Sequence, residues 1–196
     1  MTALATTRAD VLGVVFGPET LGDPVRRSSA AVELAHAGAG SVVQCRPGEL
    51  GATLSDCAAA AAVILALDPE RAVDPGELPD TVAALLAALE SARDDLVTVV
   101  AAAPVTDTLK LVDADGVVRG TADREAHATV LSPVALTPAT LQAALATLRG
   151  TDVGAVTPEV LLRAVVAAGA SVVPVSVPVA PAGRAGGPHA RGPART

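Results

Sequence analysis

Short apolar runs alternate with helix-forming segments along most of this chain, and this alternation restricts its fold more than any other feature. The apolar runs are four to eight residues long, rich in valine and alanine, and they occur at 11–16, 41–45, 63–67 and 96–103. The segments between them, 24–37, 54–62 and 81–90, have the apolar spacing of helices. Strands that are covered on both faces have such continuous apolar runs. The sequence therefore predicts an α/β fold with a mostly parallel sheet, helices on both faces and ligands at the carboxyl ends of the strands, near Phe16-Gly17, Leu67-Asp68 and Ala103-Pro104.

A hairpin pattern interrupts this alternation after residue 104. Two short apolar runs flank Asp113-Ala114-Asp115-Gly116, which predicts a β-hairpin arm over 109–120. Beyond it we expect a return to the sheet at 128–131, helices at 138–148 and 158–168, and a last strand at 170–177. Asp80 is the expected N-cap of the helix at 81–90. Residues 1–177 are thus predicted to form one domain, and the Pro/Gly/Arg-rich segment 178–196 a disordered tail.

Composition excludes several classes of function. A net charge of −7 argues against nucleic acid as a partner, and with Phe16 as the single aromatic residue the chain has no base-stacking platform. Cys45 and Cys57 have neither metal nor disulfide spacing, which favours a reduced cytoplasmic protein. No signal sequence or membrane span is predicted. The three histidines have no metal-ligand or catalytic spacing and are expected to be solvated or packed in the core: His36, His127 and His189.

One stretch resembles a known family. It runs Pro104-Val105-Thr106-Asp107-Thr108-Leu109-Lys110 and continues with Val112-Asp113, Gly116-Val117-Val118 and Asp123-Arg124. This stretch resembles the central signature of the 2-C-methyl-D-erythritol 4-phosphate cytidylyltransferases. In that family a threonine-proline pair follows the Asp-Arg pair by about eight residues, where this chain has Ser132-Pro133. Asp68 and Arg71 resemble an upstream family segment, and Thr151-Asp152 a downstream one, so that the resemblance covers about 68–177 and extends more weakly back to Val11.

The resemblance implies a Rossmann-like nucleotidyltransferase fold, a hairpin arm that joins two subunits, and transfer of CMP from CTP to a sugar-alcohol phosphate with Mg²⁺. It also implies sites for both substrates. The methylerythritol phosphate would contact Thr108, Arg124, Ser132 and Thr151, and the nucleotide would contact Asp68 and Arg71. The residues themselves leave a structural alternative open, in which Thr108, Ser132 and Asp68-Pro69 merely end strands and Arg124 caps the hairpin.

The cationic residues of the family's reaction are missing. The family holds the triphosphate with a glycine-rich loop that contains an arginine and a Pro-Lys pair, and it has a second lysine on a late strand. Here the equivalent loop, 16–24, has no lysine and contains Glu19 and Asp23, and the chain's only lysine is Lys110. Arg26 and Arg27 are the candidate replacements, although the pattern places them in a helix. We therefore assign no catalytic residue. Two hypotheses remain: an active cytidylyltransferase, or a catalytically degenerate homologue that serves as a dimerisation or regulatory partner.

Overall fold

A computed structural model describes residues 10–15, 24–45, 50–60, 63–67, 72–149 and 158–177. The first half of the chain contains β1 (Val11–Val15), α1 (Pro24–Ala37), β2 (Ser41–Gln44), α2 (Leu50–Ala60), β3 (Val63–Leu67), α3 (Leu78–Ser91) and β4 (Val97–Pro104). The second half contains β5 (Lys110–Val112), β6 (Val118–Thr121), a 3₁₀ turn (Arg124–Ala126), β7 (Ala128–Leu136), α4 (Pro138–Thr147), α5 (Pro158–Ala167) and β8 (Ser171–Ser176). The predicted α/β alternation is confirmed, and the predicted tail lies outside the described residues.

Two predicted helices begin earlier than the apolar spacing indicated. Helix α2 starts at Leu50, and α3 starts at Leu78 with Glu77 as its N-cap. The prediction that Asp80 caps α3 was wrong, because Pro79 fits the first helical turn, where a backbone N–H has no helical partner. Asp80 instead lies in that turn. There a carboxylate is favoured by the helix dipole.

The six-stranded sheet is parallel at three of its five strand pairs, and its order is β2-β1-β3-β7-β4-β8. Strand β7 is the exception, because it runs antiparallel between β3 and β4. The apolar pattern predicts strands but not their direction, and the predicted return at 128–131 is in fact a nine-residue strand at the centre of the sheet. The chain reaches β7 directly after the hairpin excursion from β4, so no helical crossover intervenes and an antiparallel pairing results.

Strand β7 carries a bulge at Ser132-Pro133, whose peptide bond is cis. Against β4, Val134 pairs with Val100, whereas the next β4 residue, Ala101, pairs with Leu131. The two bulge residues are therefore left out of this ladder, and the Ser132 carbonyl instead accepts a hydrogen bond from the N–H of Val73 at 2.9 Å. Ser132 thus lies within β7, and the alternative that it ends a strand was wrong.

The sheet separates two apolar layers, each built from valine, leucine and alanine. Successive β4 side chains point to opposite faces, so Val99 packs with α1 and α3 while Val100 packs with α2, α4 and α5. Both cysteines are buried, and neither forms a disulfide. Burial raises the pKa of the Cys57 thiol, and neighbouring Asp56 adds to this effect. None of the described helices is long and apolar enough to cross a membrane.

Candidate functional site

An open cavity of about 600 Å³ lies at the edge of the sheet where β4 and β8 end and β7 begins. One of the three strand ends that the sequence singled out, Ala103-Pro104, forms part of its wall, while the ends at Phe16-Gly17 and Asp68 lie outside the described residues. The lining residues come from β4, the segment after it, the 3₁₀ turn, β7 and β8: Ala102, Ala103, Pro104, Val105, Thr106, Arg124, Glu125, His127, Ala128, Pro174 and Ser176.

Arg124 is the cation of this cavity, and the 3₁₀ turn positions it. The side chain of Asp123 caps the turn by accepting a hydrogen bond from the N–H of Glu125 at 3.0 Å. The Nη1 atom of Arg124 donates to the carbonyl oxygen of Thr106 at 3.3 Å, which joins the two segments that flank the hairpin. A guanidinium has five N–H donors, so most of them remain for a ligand. Arg124 therefore caps the hairpin, which is the structural alternative that the sequence left open. Most of its N–H donors remain available to an anion.

His127 follows the turn and also lines the cavity. Its Nδ1 atom lies 2.7 Å from the carbonyl oxygen of Asp123. The sequence predicted a solvated or core histidine here, because no partner stands at metal-ligand or catalytic spacing, and His127 is indeed exposed, on the wall of the cavity. The sequence feature that could have indicated His127 is its position three residues after Arg124, since residues this close in sequence can lie on one turn.

The other predicted substrate residues are not collected at the cavity. Thr108 is exposed, lies two residues before β5 and is absent from the cavity lining. Ser132 is buried at the β7 bulge, where its hydroxyl donates to the carbonyl of Ala66 at 3.4 Å. Thr151, Asp68 and Arg71 lie outside the described residues. Among the described residues, Arg124 is thus the one predicted substrate residue that lines the cavity.

The predicted hairpin arm is confirmed as the pair β5 and β6, which forms a separate two-stranded sheet. The Asp113 carboxylate organises its turn, accepting hydrogen bonds from the N–H groups of Asp115 at 3.0 Å and Val117 at 2.9 Å and pairing with Arg119. The Val117 N–H, followed by the Arg119 side chain, lowers the pKa of Asp113. Gly116 has a φ of 79°, which favours glycine.

The arm exposes apolar side chains on both of its faces: Val112 pairs with Val118 on one face, and Leu111, paired with Gly120, points to the other. About half of each of four side chains is exposed: Leu111 53%, Val112 55%, Val117 48% and Val118 57%. Contiguous exposed apolar side chains are uncommon on monomeric proteins, and where they occur they often mark interaction sites. The hairpin is therefore a candidate interface.

The described residues form no site for the Mg²⁺ that the family resemblance implies. Within the described ranges no group of three or more His, Cys, Asp or Glu side chains could hold a metal ion. Asp68, the carboxylate that the sequence placed nearest the nucleotide, lies outside them.

The mixed sheet, its two helical layers and the cavity at its carboxyl edge define a nucleotidyltransferase-like α/β protein, and solved structures share this fold. A synthase of 4-diphosphocytidyl-2C-methyl-D-erythritol from Anaerococcus prevotii matches with a TM-score of 0.59 and 13% identity over 85% of this chain and 88% of its own. The 2-C-methyl-D-erythritol 4-phosphate cytidylyltransferase of Francisella tularensis matches with a TM-score of 0.59 and 14% identity over 85% and 90%. That of Thermus thermophilus gives 0.52 and 23% over 85% and 71%.

The family model of 2-C-methyl-D-erythritol 4-phosphate cytidylyltransferase matches residues 32–176. This chain belongs to that family, as the resemblance at 104–124 predicted. No curated protein matches the sequence significantly.

Proposed function

We propose that this protein is a non-catalytic subunit of the cytidylyltransferase family, which binds a sugar-alcohol phosphate through Arg124 and pairs through its hairpin with a complete family member. The single observation that carries the proposal is the position of the chain's one lysine. Lys110 lies on β5, and its Nζ atom donates to the hydroxyl of Thr121 at 3.1 Å. No lysine is thus left for the loop that follows β1 or for β8.

The reaction chemistry explains why this matters. When a substrate phosphate attacks the α-phosphorus of CTP, negative charge accumulates on the phosphate oxygens, and fixed cations supply most of the stabilisation. Two copies of this chain would still contain no lysine at a triphosphate. Arg26 and Arg27 lie in α1, as the sequence indicated. In this proposal a partner supplies the missing cations.

The acceptor side of the reaction is better supported. Arg124 lines a cavity whose apolar lining includes Ala102, Ala103, Val105 and Pro174. A guanidinium binds phosphate with two parallel hydrogen bonds. A small polyol phosphate has the matching chemistry, a charged group for the arginine and a short carbon chain for the apolar wall.

The hairpin provides the surface for pairing. The half-exposed Val112 and Val118, which share one face, would be buried against a second hairpin of the same kind, as the family resemblance implies for the arm. A complete homologue bound in this way would receive Arg124 and Thr108 at the base of the arm. This arrangement would use Thr108 although it is exposed in the single chain.

Pyrophosphate release tests the catalytic half of the proposal. The purified protein, given CTP, Mg²⁺ and 2-C-methyl-D-erythritol 4-phosphate, should release pyrophosphate at the background rate. Turnover above background that Arg124→Gln abolishes would overturn the proposal. It would support a second candidate, cytidylyl transfer by this chain itself, which the family match over 32–176 favours.

Association tests the other half. The tagged protein, mixed with a complete family enzyme from the same source, should form a heterodimer in size-exclusion chromatography with light scattering. The double variant Val112→Ser, Val118→Ser should lose this association. Val166→Ser on α5 is a matched control, because Val166 is 61% exposed and lies outside the hairpin. Association that survives the hairpin variant, or no association by the unaltered protein, would refute the proposed interface.

A further inference from the structure

We propose that His127 is a second anion ligand beside Arg124, so that a phosphate-bearing ligand takes up a proton at His127 when it enters the cavity. The inference rests on the proposed function in one respect, the binding of the ligand's phosphate by Arg124. It adds a residue and a pH dependence that the family resemblance does not imply.

The hydrogen bond of the imidazole engages Nδ1 and leaves Nε2 as the ring nitrogen available to a ligand. The carbonyl oxygen of Asp123 can only accept, so the Nδ1 atom of His127, 2.7 Å away, carries a proton and donates it. The Nε2 atom of a neutral ring with this tautomer has a lone pair and no proton. The ring nitrogen left for the cavity can therefore donate to an anion only after the ring gains a second proton.

The charges around the cavity favour this protonation when an anion is bound. Arg124, Glu125 and His127 are the charged or titratable residues of the lining, and all three come from the 3₁₀ turn and the residue after it. The lining residues from β4, its following segment, β7 and β8 carry no ionisable side chain. An empty cavity thus balances one cation against one carboxylate, and a doubly charged anion leaves an excess of negative charge beside the imidazole.

Arg124 and His127 are three residues apart, one repeat of the 3₁₀ turn, and both line the same cavity, so the proposal places them on one anion. Hydrogen bonds between an ionised donor and an ionised acceptor are stronger than neutral ones. A protonated His127 would therefore tighten binding. Since one proton is taken up for each ligand, the dissociation constant should rise as much as tenfold per pH unit once the free protein holds a neutral ring.

Sulfate is the probe that isolates the histidine. It remains doubly charged across the range in which a histidine changes its charge, about pH 5 to 8, whereas a phosphate ester titrates within that range. Calorimetric titration of the full chain with sulfate at several pH values, in two buffers of different ionisation enthalpy, measures both the affinity and the protons taken up. Glycerol phosphate then serves as the polyol ester, with glycerol as its uncharged control.

We expect sulfate affinity to fall with rising pH and the number of protons taken up to approach one per sulfate. His127→Gln should make the affinity independent of pH, whereas His36→Gln should leave the pH dependence intact, because His36 is an exposed histidine on α1 outside the cavity. Glu125→Gln should tighten binding and keep the dependence.

The outcomes separate the two proposals. Sulfate binding that Arg124→Gln abolishes but that does not change with pH, or a pH dependence that persists in His127→Gln, would overturn the role of His127 and leave the Arg124 site standing. If neither sulfate nor glycerol phosphate binds at any pH, the anion site of the proposed function is overturned as well.

Discussion

Replacement of Thr98 by valine should stabilise this protein. Thr98 lies in β4, is 0% exposed, and its hydroxyl has no hydrogen-bond partner among the described residues. By the alternation of the strand, it faces the same apolar layer as Val100. A buried polar group without a partner costs about 1–3 kcal/mol. Valine has nearly the same shape and replaces the hydroxyl with a methyl group.

The expected gain in the free energy of unfolding has two contributions. Removal of the unpaired hydroxyl recovers its desolvation cost, and the methyl group adds the favourable burial of one carbon, about 0.8 kcal/mol. We expect the free energy of unfolding to rise by about 1–3 kcal/mol, which corresponds to a melting temperature higher by about 2–4 °C per kcal/mol for a chain of this size.

Thr140 provides the matched control. It is also 0% exposed, but its hydroxyl donates to the carbonyl of Val97 at 2.9 Å and contacts the hydroxyl of Thr137 at 2.8 Å. Thr140→Val removes these bonds and leaves the Val97 carbonyl with only the longer hydrogen bond from the Thr137 N–H, at 3.5 Å. We expect a loss of about 1–3 kcal/mol, opposite in sign to the effect at Thr98.

Urea denaturation followed by far-ultraviolet circular dichroism measures both variants. The chain contains no tryptophan or tyrosine, so intrinsic fluorescence offers no useful signal. The slope of the unfolding free energy with urea should remain the same for all three proteins, so that the midpoints report stability. A Thr98→Val variant that is no more stable than the unaltered protein, at an unchanged slope, would refute the reasoning and show that the hydroxyl is satisfied.

Three further outcomes are expected. Gly13→Ala should lower the free energy of unfolding by about 1–3 kcal/mol in the same urea experiment, because the new Cβ would lie 2.7 Å from the Cδ2 atom of fully buried Leu34. Gly116→Ala meets no neighbour but must adopt a φ of 79°, so it should cost about 1–2 kcal/mol of hairpin order, measured as faster amide hydrogen exchange there. The lowered pKa of Asp113 means that the hairpin turn is stabilised above the ordinary aspartate range and loses this support as the pH falls through the folded value. The protection factor of the Val117 N–H, which is the intrinsic exchange rate divided by the observed one, should therefore fall under acid conditions, and Asp113→Asn should remove this pH dependence; a protection factor that does not change with pH in the unaltered protein would contradict it.

The candidate site could be predicted from the sequence only in part. The motif at 104–124 singled out Arg124, and the structure puts this arginine in a cavity at the end of a strand that the sequence had also indicated. His127 was not predicted at the site, because residue spacing does not show that its ring contacts the Asp123 carbonyl and lines the cavity. Ser132 was expected beside Arg124, but the β7 bulge turns its hydroxyl to Ala66. The contact between Ser132 and Ala66 arises from strand pairing between residues that are far apart in the sequence.

The sequence by itself determined the elements of this protein and the chemistry that it lacks. Runs of valine and alanine fix where strands form, because burial on both faces requires continuous apolar residues. The presence of a single lysine limits any triphosphate site regardless of the fold. The tertiary structure alone decided that β7 runs antiparallel at the centre of the sheet. It also decided that the Ser132 carbonyl at the bulge accepts a hydrogen bond from the Val73 N–H. Strand direction and register depend on contacts between segments that local apolar patterns do not encode, since either direction buries the same side chains.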